Sequence, residues 1–245
     1  MFWPPGWDLR HVAETGSTNA DLVAAVVAGT ATNHTVLVAD HQTAGRGRLD
    51  RRWDAPPGVN LLVSIVVAPI PVVPAEVTHR IGIAAVAAVR RLVSAEVAST
   101  VGLKWPNDVL VGDRKLAGIL AQRVPAHDAV VVGLGLNVGW APDGAVTVGQ
   151  ISDDLAVTPA RVLAALLEEL DALPADVSML YRDALVTLGK SVRAELPGGV
   201  AALLGQAVDV DATGRLIVVD EHGERHELDV GDVVHVRALP GESPV

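Results

Sequence analysis

The sequence predicts an α+β fold with a small all-β piece at its end, and three observations carry that reading. Short runs of Val, Leu and Ile bounded by Gly, Pro and Asn read as buried strands. Between them lie three longer segments with helical spacing and recognisable helix ends. From Ser191 onward the helical patterns stop, and only β-rich pieces with glycine turns remain. The chain has 245 residues, half of them apolar, which is enough for one medium and one small domain around a sizeable core. The expected division is 1–190 for the body and 191–245 for a small β barrel.

The elements follow in order. STNADLVAAVVAG reads as a helix, with Ser17 or Thr18 as cap, Asp21 in the first turn and Gly29 at the end. TVLVAD (35–40) is a short β-branched strand, and TAGRGRLDRRW (43–53) is a loop by its glycines. NLLVSIVV (60–67) is an apolar strand. Pro74 opens a helical pattern that runs to about residue 94. VGLKW, DVLVG and KLAGILAQ read as strands with turns at Pro106-Asn107 and Gly112-Asp113. AVVVGLGLNV (129–138) is a further buried strand, residues 149–154 are a polar loop, and 159–188 is helical. SVRAEL, AVDVDATGRLIVVD and RHELDVGDVVHVR then supply short strands, with turns at Gly198-Gly199, Gly214, Gly223 and Gly231.

The formal net charge is −10, which argues against non-specific DNA binding and makes any local basic cluster informative. The absence of cysteine excludes disulfides, zinc thiolates and cysteine nucleophiles. The N-terminus lacks the pattern of a signal peptide, and Arg90 and Arg91 cut the longest apolar stretch. A soluble, cytoplasmic protein is expected.

Four segments break the rules of a plain core or surface. In ETGSTN (14–19), Ser17, Thr18 and Asn19 suit an ordinary helix cap; they also suit docking of a polar ligand on hydroxyls and free N–H groups. The loop at 43–53 follows Gln42 and crowds Arg46, Arg48, Arg51 and Arg52 beside Gly45 and Gly47. A solvated basic loop is one account. Arginine forks meeting carboxylate or phosphate, with Trp53 to stack or to pack the loop down, are the other. In KWPNDVLVGDRKLAGIL (104–120), a polar turn explains Asn107 and Asp108 but not Lys115 opening an apolar strand, with Gly118 three residues later. In GLGLN (133–137) the glycines lighten a buried strand without completing a dinucleotide fingerprint, and Asn137 offers an amide able to read an adenine edge. A mobile arginine loop, a lysine, amides and a tryptophan, without a Ser/His/Asp ordering, suit activation of a carboxylate by a nucleotide.

GSTN, Q-T-A-GRGR-x-x-R-x-W, KWPND followed by KLAGIL, and GLGLNV, in this order and spacing, resemble the biotin protein ligases. The resemblance covers about residues 8–140. It implies a class II synthetase-like catalytic domain, a mixed sheet with helices, followed by a small SH3-like barrel. It implies that biotin and Mg-ATP form biotinyl-5′-AMP, which then acylates a lysine of a biotin carboxyl carrier protein domain. Ser17, Thr18, Asn19, Gln42, Gly45, Arg46, Gly47 and Gly118 are then the expected biotin-binding residues, joined by Lys115 as the cation between carboxylate and α-phosphate. Arg48, Arg51, Trp53, Asn107, Asp108 and Asn137 are expected on the nucleotide side. Lys115, Arg48 and Asp108 are the expected catalytic residues, and Asp108 is a candidate for the Mg2+ shell. One departure is Asp50, where the family commonly has a glycine; an aspartate tolerates a left-handed backbone there. The motif begins at residue 17, leaving no room for a preceding DNA-binding domain, so no repressor activity is expected. A lipoate–adenylate ligase and a non-catalytic biotin or adenylate sensor are the rival readings.

Overall fold

The computed structural model describes residues 4–154, 156–195, 202–229 and 232–235. The chain opens with a strand that the apolar pattern does not predict, β1 (Asp8–Thr15). Half of it is exposed, and it is rich in charged side chains, so it lacks the apolar run of the inner strands. It pairs in parallel with β2 (Thr35–Gln42), and a His11–Asp40 contact of 2.9 Å and a His41–Glu14 contact of 3.0 Å tie the two together. The inner strands fall where expected: β3 (Leu61–Val67), β4 (Val101–Lys104), β5 (Asp108–Val111), β6 (Arg114–Arg123) and β7 (Val130–Leu136). They form one mixed sheet in the order β1-β2-β3-β7-β6-β5-β4, antiparallel except for the first pair.

The helices are α1 (Thr18–Val27), α2 (Glu76–Arg90), α3 (Ala95–Ala98), α4 (Val148–Ile151), α5 (Pro159–Ala172) and α6 (Ser178–Ala184). Gly29, at φ +69°, ends α1 as expected of a residue just past a helix. The helical stretch expected over 159–188 divides into α5 and α6, because Pro174 cannot continue the first helix. The loop expected at 149–154 begins with the short helix α4, which Thr147 and Gln150 close with a reciprocal capping box.

α2 and α5 cover one face of the sheet, in a core with Leu61, Val63, Ile65, Ala117, Ile119, Val132 and Leu134. On the other face α1 packs Leu22 and Val26 over Leu37, Val66 and Val131. α1 covers only part of that face.

The C-terminal strands are β8 (Ser191–Glu195), β9 (Leu203–Val210), β10 (Leu216–Val219), β11 (Arg225–Leu228) and β12 (Asp232–His235). Their sheet has the order β11-β10-β9-β8-β12 and is antiparallel throughout. The expected SH3-like barrel is therefore wrong: β11 and β12 are the two edges, and no ladder joins them among the described residues. Sequence spacing tells how many strands there are. Closure depends on tilt and stagger that bring the edges together, and these edge strands are four residues long. The apolar residues of this sheet, among them Val192, Ala194, Ala207, Leu216 and Val218, instead join the same apolar cluster as α2 and α5. Gly214 and Gly223 occupy turns at positive φ, whereas the expected turns at Gly198-Gly199 and Gly231 lie outside the described residues.

The two sheets meet at a close joint. Trp105 Nε1 donates to the Gly214 carbonyl at 2.9 Å, and Arg182 bonds Asp209 at 2.8 Å. The His79 ring stacks on Tyr181 with centroids 3.6 Å apart. A side chain at position 214 would lie 2.5 Å from His79 Cε1, so the turn there admits only glycine. Burial pushes the His79 imidazole down to about 4 and holds the Tyr181 phenol above its usual range. No described helix is long and apolar enough to cross a membrane.

Candidate functional site

Side chains along a strand alternate between faces, and that alternation produces a bare floor on the face that α1 leaves open. On β7, Val132, Leu134 and Leu136 point into the core with α2 and α5. Gly133 and Gly135 point the other way. Gly133 stands opposite Ser64 on β3 and Leu120 on β6, and Gly135 stands opposite Gly118. Glycine is required at both β7 positions. A Cβ at 133 would lie 2.5 Å from Asn19 Oδ1, and one at 135 would lie 2.5 Å from the Trp53 indole. The result is a cleft of about 600 Å3 between this floor, the start of α1 and the loop at 43–53, a volume typical of small-ligand sites.

Lys115 reaches the cleft because of a β-bulge. The β5–β6 register pairs Val109 with Ala117 but Leu110 with Lys115, leaving Leu116 as the extra residue. Leu116 and Ala117 are both fully buried in the core. The bulge thereby turns Lys115 to the same side as Gly118, and its Nζ lies 2.6 Å from Asp108 Oδ1. It also stands 5.6 Å from the centre of the Trp53 ring.

The loop at 43–53 is folded down over the floor. Thr43 and Ala44 donate to the carbonyls of Thr15 and Gly16, at 2.9 and 2.8 Å. Gly47 N donates to Arg51 O at 2.7 Å, Trp53 N donates to Gly45 O at 3.0 Å, and Arg46 bridges Arg52. Gly45 admits no side chain, because a Cβ there would lie 2.3 Å from the Trp53 carbonyl. A 3-10 turn at Arg48–Asp50 forms the tip. The left-handed residue in that turn is Leu49, at φ 55° and ψ 40°, and not Asp50 as the family pattern suggests. Arg48 Nη1 donates to Asn107 Oδ1 at 3.2 Å, which ties the tip to the β4–β5 turn. Trp53 lays its indole on Gly118 and Gly135 with Nε1 buried and without a hydrogen-bond partner.

The start of α1 is arranged differently from a plain cap. Ser17 occupies the cap position but makes no side-chain cap bond. The Thr18 N–H is taken by Gln42 Oε1 at 2.8 Å, and the Thr18 hydroxyl also reaches that oxygen, at 3.0 Å. Asn19 is buried, with Nδ2 donating to the Leu120 carbonyl at 3.1 Å and Oδ1 accepting from Ser64 Oγ at 2.6 Å.

Ser17, Thr18, Asn19, Gln42, Arg46, Gly47, Arg48, Arg51, Trp53, Asn107, Asp108, Lys115 and Gly118 thus all line one cleft. Gly45 supports the lid beside Gln42 without lining it. Asn137 is not brought there: it is 2% exposed, and its amide donates to Val146 O at 3.3 Å, holding the chain after β7. Sequence reasoning missed Ser64 and Asn60. Each is a polar residue in an apolar run, which was the available signal. Asn60 Oδ1 accepts from the N–H groups of Val138, Gly139 and Trp140.

The cleft is lined by five cationic side chains, Arg46, Arg48, Arg51, Arg52 and Lys115, against two carboxylates, Asp21 and Asp108. A chain of net charge −10 has gathered positive charge here. Among the described residues, the one group of three metal-capable side chains, Asp220, Glu224 and His226, belongs to the β10–β11 hairpin and not to this cleft.

Residues 15–138 match the Biotin/lipoate A/B protein ligase family, and residues 187–236 match the Biotin protein ligase C terminal domain. A biotin--[acetyl-CoA-carboxylase] ligase of Mycobacterium tuberculosis is 41% identical over 95% of this chain and 91% of its own length. The chain belongs to the biotin protein ligases of this family. Another biotin protein ligase relative, the bifunctional ligase/repressor BirA of Bacillus subtilis, is 27% identical over 77% of this chain and 62% of its own. Among solved biotin protein ligases, that of Aquifex aeolicus in complex with biotin and ATP superposes with a TM-score of 0.77. It is 26% identical, over 94% of this chain and 99% of that one. The Leishmania major biotin protein ligase in complex with biotinyl-5-AMP is 25% identical with a TM-score of 0.64, over 93% of this chain and all of that one.

Proposed function

We infer that this chain is an ATP-dependent ligase that joins the carboxylate of biotin to the α-phosphate of ATP. The products of that step are biotinyl-5′-AMP and pyrophosphate; a lysine amine of a carrier protein then attacks the acyl carbon and AMP leaves. The observation that carries the reading is the convergence, in one cleft, of a neutral polar wall, a lysine and an arginine lid.

In this reading Thr18 and Gln42 hold the ureido ring, with Ser17 and Asn19 beside them and Gly45, Arg46, Gly47 and Gly118 along the biotin slot. Two carboxylate and phosphate oxygens brought together repel, and Lys115 stands where one cation neutralises both. Arg48 and Arg51 add guanidinium donors from the lid, and Asn107 anchors Arg48. Closing the lid keeps water from an anhydride that hydrolyses readily. Asp108 holds Lys115 until substrate arrives; released from that pair, it is placed to orient the incoming amine.

A lone carboxylate already paired with a lysine does not fit a resident metal site built by the protein. It fits Mg2+ carried in on the nucleotide phosphates, for which one carboxylate is a usual protein contribution. When bound, that ion neutralises phosphate charge. The acceptor in this reading is the biotin carboxyl carrier domain of a biotin-dependent carboxylase, supported by the name of the Mycobacterium tuberculosis relative. A cytoplasmic setting, where ATP is supplied, belongs to the same reading. So does a division into a catalytic unit over 1–190 and a C-terminal unit over 191–245, supported by the change of sheet at β8 and by the second family match.

Pyrophosphate release that depends on biotin, followed by biotin on the lysine of a purified carrier domain, is the expected result. Release driven equally by octanoate, or no release at all, would overturn it.

A further inference from the structure

The tip of the lid holds an apolar side chain out to water. Leu49 lines the cleft and is yet 66% exposed, so it stands at the mouth. Of the large apolar side chains exposed among the described residues, it alone lines the cleft. A single exposed leucine on a plain surface needs no account. This one has two further properties. Its backbone is left-handed, at φ 55° and ψ 40°, a conformation unfavourable for leucine. The chain on either side enforces it: Gly47 N donates to Arg51 O at 2.7 Å, Arg51 N donates to Arg48 O at 3.2 Å, and Arg48 Nη1 donates to Asn107 Oδ1 at 3.2 Å. Arg48 is thereby turned inward and Leu49 outward. In addition, Arg46, Arg51 and Arg52 on the same lid are exposed, so the apolar tip is set among positive charge.

The transfer step says what meets this tip. The acceptor nitrogen forms a bond to the acyl carbon and gives up a proton, while the bond from that carbon to the phosphate oxygen breaks and AMP leaves with the electron pair. A lysine carries its amine on a four-carbon stem. The protein that bears it must therefore press its own surface against the mouth of the cleft. Biotin and ATP meet the inner face of the lid; the outer tip is left for the acceptor.

We propose that Leu49 is a docking residue for the second substrate, an acidic protein surface with an apolar spot beside its target lysine. The proposal rests on the biotin reading above and concerns transfer, not adenylation. Burying the exposed part of one leucine side chain is worth about tenfold in affinity. The surrounding guanidiniums attract the acidic surface and guide its approach.

Leu49→Asn and Leu49→Met separate the side chain from the backbone. Asparagine is close to leucine in size and tolerates the left-handed conformation better; methionine stays apolar. Each full-length variant is assayed for biotin-dependent pyrophosphate release, for capture of biotinyl-5′-AMP by hydroxylamine, and for transfer to a purified carrier domain. Leu49→Asn is expected to raise the KM for the carrier about tenfold with kcat within about twofold of wild type. Pyrophosphate release and hydroxylamine capture should both stay within about twofold, because neither buries the tip. Leu49→Met is expected to keep the carrier KM within about twofold of wild type. An unchanged carrier KM in Leu49→Asn, an equal loss with hydroxylamine, or a loss in Leu49→Met as large as that in Leu49→Asn would overturn the assignment while leaving the ligase reading intact. A dimer in sedimentation that Leu49→Asn dissolves, with the carrier KM unchanged, would give the tip to a second copy of the chain instead. A wild-type protein that forms no biotinyl-5′-AMP would overturn both readings.

Discussion

The wall formed by α1 and β3 and the lid at 43–53 face the same cleft, yet they are built on different physical terms. The wall is neutral and buried: Thr18, Asn19 and Ser64 are each under 10% exposed, and their hydrogen bonds close on one another. The lid is charged and rich in glycine, and Leu49 at its tip is 66% exposed. A closed neutral network discriminates, because a ligand with the wrong donor or acceptor strands a buried group at a cost of about 1–3 kcal/mol. A charged lid discriminates little between anions. In the proposed reading it supplies affinity for negative charge and covers the ligand.

The largest expected effect separates wall from charge most sharply. Lys115→Ala leaves the neutral wall untouched, so biotin should still bind without ATP, weakened by about tenfold through loss of the cation beside its carboxylate. Biotin-dependent pyrophosphate release should fall by about 10²–10³-fold, the usual loss for one charge-stabilising group. Near wild-type release would remove Lys115 from the chemistry.

The joint behind the sheet tests whether buried neutral packing also carries stability. His79 takes up its proton at about 4 in the folded chain against 6.5 when unfolded. Below pH 6.5 the unfolded chain binds a proton that the folded chain does not, so stability is lost as pH falls from 6.5 towards 4. The loss should approach about 3 kcal/mol. Denaturant midpoints at several pH values should show it, and His79→Phe should flatten that slope while keeping the stack on Tyr181. An equal slope in the variant would mean that other groups set the acid sensitivity.

Arg48→Ala should bind biotin nearly as wild type but release biotinyl-5′-AMP about tenfold faster, the worth of one charge-assisted hydrogen bond. Unchanged retention in a chase experiment would show that the lid closes without it. The smallest effect on the lid itself belongs to Leu49→Gly. It relieves a left-handed leucine, worth roughly 1–2 kcal/mol and offset in part by about 0.5–1 kcal/mol of added glycine freedom, and should slow proteolysis of the empty lid. Faster cleavage would mean that the added glycine freedom outweighs the relieved strain.

Much of this was legible in the residues. Runs such as NLLVSIVV and AVVVGLGLNV became inner strands because a strand buried on both faces needs no polar alternation. The GRGR loop, KWPND and KLAGIL segments met in one cleft as their order and spacing imply. β1 escaped notice because a half-exposed edge strand of charged residues carries little apolar signal. Ser64 escaped because a single hydroxyl in an apolar strand has no meaning until its partners, 45 and 46 residues away, are known. That Asn137 lies outside the cleft lining was illegible for the converse reason: an amide ending a strand faces ligand or backbone according to the turn that follows it.

By itself the sequence determined which segments become strands and helices, where positive charge collects, and which family the motifs resemble, because these depend on local pattern and residue chemistry. Only the tertiary structure decided that the C-terminal sheet stays open, that a bulge at Leu116 turns Lys115 into the cleft, and that three glycines on β6 and β7 make its floor. Those outcomes depend on register and on which strand faces which, and a shift of one residue in either would reverse every side chain concerned.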